Sequence, residues 1–145
     1  MSRGAYSSPD RGSATVELTL VVPALVLVLG LLVAGGRIWF ARTTVTEAAQ
    51  SAARAASLAR APGPAAADGQ DAGRASLSTA GLRCASSSVE VRTAAFAVPV
   101  GTPATVRATV RCTVPLADIL LPGLPGSLTL DGQGAAALDT YRSRR

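Results

Sequence analysis

The sequence predicts an α+β protein in which a long N-terminal transmembrane α-helix continues into a stalk, and a small antiparallel β-sheet domain of about three strands follows. Three patterns predict this fold. An uncharged, mostly apolar run extends from Leu18 to Gly36, no proline or glycine occurs between Arg42 and Pro62, and apolar and polar residues alternate after Cys84. A long apolar run is typical of membrane helices, and two-residue alternation is typical of strands with one buried face.

The apolar run is long enough to cross a bilayer. As a helix it spans about 28 Å, and the hydrocarbon core of a bilayer is about 30 Å thick. Pro23 lies within the run and predicts a bend, because proline removes one backbone hydrogen bond. The run ends at residues 37–42, RIWFAR, where arginines flank Trp39 and Phe40. This composition suits a membrane–water boundary.

The helix is expected to continue past the membrane as a stalk. Ala48, Ala52, Ala55 and Ala59 recur at three- and four-residue spacing and therefore share one face of a helix. Such a stripe allows close approach of another backbone, as in helix interfaces made of small residues. It equally suits an alanine-rich surface helix, and the sequence leaves both interpretations open.

Alternation of apolar and polar residues predicts two strands, at residues 89–93 and 106–114, which a turn rich in proline and glycine joins as a hairpin. A third strand is predicted around residues 127–140. Gly132 and Gly134 are expected to interrupt it, because glycine weakens a strand interior.

These patterns divide the chain into five parts. The connection at residues 115–126 is apolar and broken by prolines, and we expect it to cover the open face of the sheet. The predicted parts are a leader peptide at 1–12, the transmembrane and stalk helix at 13–61 with its span at about 18–36, a linker and short helix at 62–83, a β-rich domain at 84–141, and a tail at 142–145.

Cys84 and Cys112 both follow the membrane run. If this part of the chain is exported, the two cysteines can form a disulfide, whereas two buried free thiols would fit a cytosolic domain. Cys112 falls on the apolar face of the second predicted strand and Cys84 precedes the first, so a bridge is geometrically possible. Export favours the disulfide.

The composition argues against catalysis and against nucleic-acid binding. The net charge is +5, but the 14 basic residues are scattered arginines instead of a stripe interleaved with aromatic residues. Histidine and lysine are absent, which excludes Ser/His and Cys/His nucleophiles, histidine-based zinc sites and Schiff-base chemistry. The sequence therefore predicts a non-enzymatic protein without a cofactor, a metal site or a nucleic-acid partner.

The segment Arg11–Glu17, RGSATVE, followed by the apolar run, resembles the N-terminus of TadE-like proteins, which are pseudopilins or minor pilins of the tight-adherence (Flp) pilus system. The resemblance implies that a prepilin peptidase cuts between Gly12 and Ser13. Glu17 would then be the fifth residue of the mature chain. It would pair with the new N-terminus, within one chain or between chains.

The resemblance also implies partners and a location. The partners would be the lipid bilayer, the prepilin peptidase, other pilin-like or TadE-like subunits and the pilus assembly platform. Two arginines precede the span and two closely follow it, so the distribution of positive charge does not orient it. An N-terminus in the cytoplasm and a C-terminal domain outside it follow from the resemblance, in a single-pass protein of the cell membrane.

Two other interpretations remain open. In the first, residues 1–36 are a signal peptide that is removed after Ala34-Gly35-Gly36, although the apolar run exceeds the usual length of such peptides. In the second, the chain is a single-pass, anchored binding protein with an unrelated, non-enzymatic role in the cell envelope. The N-terminal residue of the mature protein distinguishes these interpretations.

Overall fold

The computed structural model describes residues 11–119 and 123–141, with side chains from Glu17 onward. It confirms the predicted α+β class, with a long N-terminal helix followed by a three-stranded antiparallel sheet in the order β1-β2-β3. The elements are α1 (Arg11–Leu58), α2 (Pro62–Thr79), β1 (Ser86–Arg92), a 3₁₀ turn (Ala94–Ala97), β2 (Thr105–Pro115), α3 (Leu116–Ile119) and β3 (Ser127–Ala137).

Tertiary contacts divide the chain between Gly36 and Arg37. The first unit contains the apolar half of α1, and α1 is continuous through Pro23. The second unit contains the rest of α1 together with α2, α3 and the sheet. The first ten residues of the predicted leader and the predicted tail at 142–145 lie outside the described residues, and the predicted domain limits stay predictions.

The stripe of small residues on α1 packs against the sheet of the same chain. Ala48 and Ala52 are fully buried, whereas Ala55 and Ala59 are only half-buried. Of the two interpretations that the sequence left open, close approach of another backbone therefore holds for Ala48 and Ala52, and this backbone belongs to the same chain. The fully or almost fully buried residues on this face of α1 are Ala41, Thr44, Val45, Ala48, Ala49, Ala52, Ala53 and Ala56.

Gly132 and Gly134 lie inside β3, which continues without interruption from Ser127 to Ala137. The expectation that these glycines interrupt the strand was wrong. A Cβ added to Gly132 would lie 2.6 Å from the carbonyl carbon of Val45 and 2.8 Å from the amide nitrogen of Thr46, and one added to Gly134 would overlap the carbonyl of Ala49. Glycine is needed here because the helix backbone rests directly on the strand.

Helix α2 packs on the remaining part of the sheet and on α1 through residues four apart. Its buried residues are Ala65, Gly69, Gly73 and Leu77. A Cβ at Gly69 would lie 3.0 Å from the carbonyl oxygen of Ala52, and a Cβ at Gly73 would lie 3.0 Å from a methyl group of Val89 on β1. Pro62 occupies the first turn of α2, where its missing amide hydrogen has no cost.

The outer face of the sheet differs from the expectation. Residues 116–119 form α3, which places Ile119 in the main apolar cluster together with Val114 and Leu130 on the helix-covered face. On the opposite face, Glu90, Arg111 and the alternating residues of all three strands are exposed or half-exposed. Within the described residues, the connection contributes to the core instead of covering the open face.

Candidate membrane and assembly segment

The apolar half of α1 has the composition of a membrane span. Among the described residues one helix, over Glu17–Leu58, is long and apolar enough to cross a bilayer. Its most apolar part has a mean hydropathy of 2.7, and none of that part is buried. The large side chains from Leu18 to Val33 are 47–72% exposed. A contiguous apolar surface of this size is not stable in water, so this segment is a candidate membrane span of a single-pass protein.

Gly12, Ser13 and Glu17 lie on one continuous helical segment, because α1 begins at Arg11, two residues before the expected start. Positions 13 and 17 are one turn apart, about 6 Å along the axis, and share a face of the helix. The Glu17 side chain is exposed and forms no ion pair within the part of the chain described. Processing at Gly12–Ser13 and pairing by Glu17 stay predictions.

The turn of α1 that follows the span has two different faces. Trp39 is 74% exposed and Phe40 58% exposed, whereas Ala41 is buried and Ile38 packs against the main apolar cluster. The hydroxyl of Thr43 donates a hydrogen bond to the Trp39 carbonyl at 3.0 Å. One face of this turn thus belongs to the C-terminal core, and the aromatic side chains remain available to the membrane–water boundary.

Cys84 and Cys112 form a disulfide, with their Cα atoms 5.4 Å apart. The bridge joins the segment after α2 to the middle of β2, and the described residues contain no free cysteine. The predicted pairing is therefore present, and the alternative of two buried free thiols is not. Such bridges are typical of domains that fold in oxidising compartments.

The outer face of the sheet is polar and carries cross-strand pairs. Arg111 on β2 donates a hydrogen bond of 2.6 Å to the carboxylate of Asp131 on β3. This hydrogen bond and the charge of Asp131 raise the pKa of Arg111 above its usual value. Beside them the hydroxyls of Thr113 and Thr129 lie 3.2 Å apart. No group of three potential metal ligands occurs among the residues that the structure describes.

Sequence reasoning missed the structural role of the glycines. The four-residue spacing of Gly69 and Gly73, and the two-residue spacing of Gly132 and Gly134, are visible in the sequence. This spacing indicates a close approach of two backbones only after the helix that packs on each strand has been identified. Helices α1 and α2 lie on the same face of the sheet. The glycines have no side chain between the elements, so the alanine face of α1 can pack closely against β3 and α2.

An exposed apolar N-terminal helix followed by a small disulfide-bonded α+β unit defines a class of candidate single-pass membrane proteins. Within this class, residues 12–54 match the model of the family described as TadE-like protein. The match confirms the family resemblance predicted from the sequence. It covers the candidate span and most of the remainder of α1, and it ends before α2 and the sheet. Comparisons with curated proteins and with solved structures gave no match.

Proposed function

We propose that this chain is a TadE-like pseudopilin or minor pilin that acts in the assembly of a type IV (Flp/Tad) pilus, or of a related secretion apparatus, at the membrane. The observation that carries the proposal is the family match over residues 12–54, which begins at Gly12 and includes the candidate span. The role is structural: the described residues offer exposed apolar and polar surfaces for packing, and the sequence has no histidine for acid–base catalysis.

Processing is the first step of the proposed function. A prepilin peptidase would cut between Gly12 and Ser13 and remove Arg3 and Arg11 with the leader. The cut would create an ammonium group at the N-terminal end of α1, one turn from Glu17. A carboxylate within the lipid region costs about 2.5 kcal/mol or more, so pairing with an ammonium group is favoured. Pairing between chains would connect neighbouring subunits at the membrane.

The orientation follows from the same proposal. The C-terminal unit would lie outside the cytoplasm, where the Cys84–Cys112 disulfide can form. The proposed partners are the prepilin peptidase, other pilin-like subunits and the pilus assembly platform. In the alternative function, a secreted or anchored binding protein of the cell envelope, the same disulfide would form, so the disulfide does not distinguish the two.

Identification of the N-terminal residue of membrane-extracted protein tests the proposal. We expect Ser13 when the chain is expressed with a prepilin peptidase. The substitution Gly12→Ala should leave the leader attached, whereas the matched change Gly4→Ala within the leader should not affect processing. Trimming of the Gly12→Ala protein at the same bond would refute the proposed site. A mature chain that begins at residue 37 or later would instead support the secreted alternative.

Glu17 is tested separately from processing. The change Glu17→Gln keeps the size of the side chain and removes its charge, so we expect normal cleavage but loss of incorporation into pilin-containing complexes. Glu17→Asp keeps the charge and serves as the control. Co-purification with tagged pilin-like subunits measures incorporation. Equal incorporation of the Glu17→Gln variant and the unchanged chain would show that the carboxylate has no role in assembly.

A further inference from the structure

The outer edge of β3 has a regular row of backbone groups that pair with no other strand among the described residues. The amide of Leu138 donates to the carbonyl of Ala104, and the amide of Leu116 donates to the carbonyl of Gly126. These bonds lie at the two ends of the β2–β3 ladder. Along an antiparallel strand, every second residue hydrogen-bonds to the neighbouring strand and the residues between them point away from it, so the two bonds show which residues of β3 bond to β2. Even-numbered residues of β3 therefore bond to β2. The amides and carbonyls of its odd-numbered residues, such as Asp131 and Gln133, point to the open edge.

The open edge of β3 lacks the features that usually prevent strand addition. Strands at the edge of a sheet are commonly protected by lysine, proline or a bulge. The residues Ser127–Ala137 contain neither lysine nor proline, and their register with β2 is continuous over the whole strand. The one charged residue, Asp131, is held by Arg111 on the neighbouring strand. A strand of this length with an open edge is a template for another strand.

Strand β1, at the opposite edge of the sheet, also pairs with no strand on its outer side among the described residues. The odd-numbered residues of β2 face β1, so Ser86, Ser88, Glu90 and Arg92 bond to β2. The amides of Ser87, Val89 and Val91 consequently point to the open edge. The strand Ser86–Arg92 contains no proline or lysine. Each copy of the chain thus has two open strand edges, one on β3 and one on β1, and the β3 edge of one copy can pair with the β1 edge of another.

The directions of the elements decide how two copies can pair. Gly132 lies against Val45 and Gly134 lies against Ala49, so β3 and this part of α1 run in the same direction. The spacing agrees, since four helical residues rise about 6 Å and two strand residues about 6.6 Å. β1 runs in the same direction as β3 because both are antiparallel to β2. Two copies side by side in the same orientation therefore present β3 and β1 as a parallel pair.

Charged residues on the two helices match in such an arrangement. Gly69 of α2 lies against α1 at Ala52 and Ala56. Its neighbour Asp68 therefore lies at about the same position along the axis of α1 as Arg54. Both side chains are exposed, and neither forms an ion pair within the described part of the chain. An open groove of about 460 Å³ on α1 is lined by Glu47, Gln50 and Arg54 among others. A second copy placed beside β3 would bring its α2, with Asp68, towards this groove.

We propose that the open edge of β3 binds strand β1 of a second copy of this chain in parallel register, with Arg54 of the first copy facing Asp68 of the second. The proposal rests on the proposed function, because pilin-like assembly brings copies of the chain together with their C-terminal units on the same side of the membrane. The contact is heterologous: every copy uses β3 towards one neighbour and β1 towards another. It therefore joins the three-stranded sheets into a row that further copies extend.

The experiment uses two full-length variants with different tags, expressed in one membrane. One carries Arg54→Cys and the other Asp68→Cys, and a short bismaleimide links free thiols without reacting with the Cys84–Cys112 disulfide. We expect cross-linked heterodimers from the mixture and little cross-linking from either variant alone. Strong linkage of the Arg54→Cys variant to itself would indicate a twofold, face-to-face contact and would overturn the proposal.

Proline at the edge then tests the strand pairing. Gln133→Pro removes an amide that points to the open edge, so the fold should keep its β2–β3 bonds, and Gln133→Ala is the matched control. Placed in the Arg54→Cys copy, which supplies β3, Gln133→Pro should lower heterodimer yield about tenfold. Placed in the Asp68→Cys copy it should change nothing. An unchanged yield in the first placement overturns the proposal.

A second proline variant, on β1, tests the same pairing independently in case the Gln133→Pro protein misfolds. Ser87→Pro should lower the yield only in the Asp68→Cys copy, which supplies β1, and loss in neither placement overturns the proposal. Sequencing the N-terminus of the same preparation separates this inference from the proposed function. A chain that begins at Ser13 but gives no heterodimer retains the pilin-like role and overturns the interface, and cross-linking with an intact leader supports the interface alone.

Discussion

The substitution Gly134→Ala tests how the C-terminal unit is held together. The added methyl group would overlap the Ala49 carbonyl of α1 and would lie 2.5 Å from the amide nitrogen of Gln50, whereas ordinary contacts of a Cβ are 3.4–4 Å. All of these atoms are backbone atoms, so no side-chain rotation relieves the overlap. We expect α1 and β3 to separate by about 1 Å, with loss of the close contacts made by neighbouring buried alanines.

The magnitude follows from opposing terms. Overpacking of a well-packed core costs about 1–3 kcal/mol, and the upper end applies because two rigid backbones meet. Replacement of glycine by alanine returns about 0.5–1 kcal/mol by restricting the unfolded chain. The net loss in the free energy of unfolding is about 2 kcal/mol, which corresponds to a fall of about 10 °C in the melting temperature of a domain of this size.

Thermal unfolding of the full-length protein in detergent micelles, followed by circular dichroism with the disulfide intact, measures this effect. The matched control is Gly63→Ala, since a Cβ at Gly63 meets no atom within 4 Å other than those of its chain neighbours and its own helix backbone. That variant should unfold close to the temperature of the unchanged protein, because the preference of a helix for alanine over glycine is offset by contact of the new Cβ with the ring of Pro64. If Gly134→Ala unfolds at the same temperature as Gly63→Ala, the close contact between α1 and β3 does not hold the unit together.

The remaining predictions concern the same unit. Gly69→Ala should destabilise it more than Gly73→Ala, because a methyl group at Gly69 meets a backbone oxygen at 3.0 Å while one at Gly73 meets methyl groups of a valine that can shift; equal melting temperatures would contradict this order. The double substitution Cys84→Ala and Cys112→Ala should lower the free energy of unfolding by about 3.5 kcal/mol in the chain-entropy model, since the bridge spans 28 residues. Urea titration measures this loss. Unreduced protein should resist alkylation at both cysteines, and rapid labelling would show that the bridge does not form.

Much of the fold could be predicted from local patterns in the sequence. The apolar run predicted the exposed first part of α1, and two-residue alternation predicted β2 within one residue at each end. Both patterns depend on neighbours along the chain, as hydrophobic periodicity does. The family resemblance also depended on a short local segment, and the match at residues 12–54 confirmed it.

The errors came from contacts between distant segments. Gly132 and Gly134 suggested an interrupted strand, because glycine weakens an isolated strand. In the structure they are the positions at which α1 rests on the sheet, which is a property of two elements more than 80 residues apart in the chain. The alanine stripe was ambiguous for the same reason. Its small residues allow close packing, but they do not identify the segment that packs against them. The processing site and the role of Glu17 depend on other proteins, so they stay predictions.

The packing of the C-terminal unit limits which surfaces remain for assembly. Its core consists mainly of alanines, valines and closely approaching glycines, because the sequence supplies few large apolar side chains in this region. The small-residue face of α1 is used within the chain from Ala41 to Ala56, and no other helix can reach it without unfolding the unit. In the proposed function, contacts with other subunits would use surfaces that stay exposed: the first part of α1, the outward face of α1 that carries Arg54, the polar outer face of the sheet, or its open edges. In a chain that acts as proposed, burial of the alanine face of α1 against its own sheet leaves the strand edges as a surface for lateral association, and the proline substitutions at Ser87 and Gln133 test that surface directly.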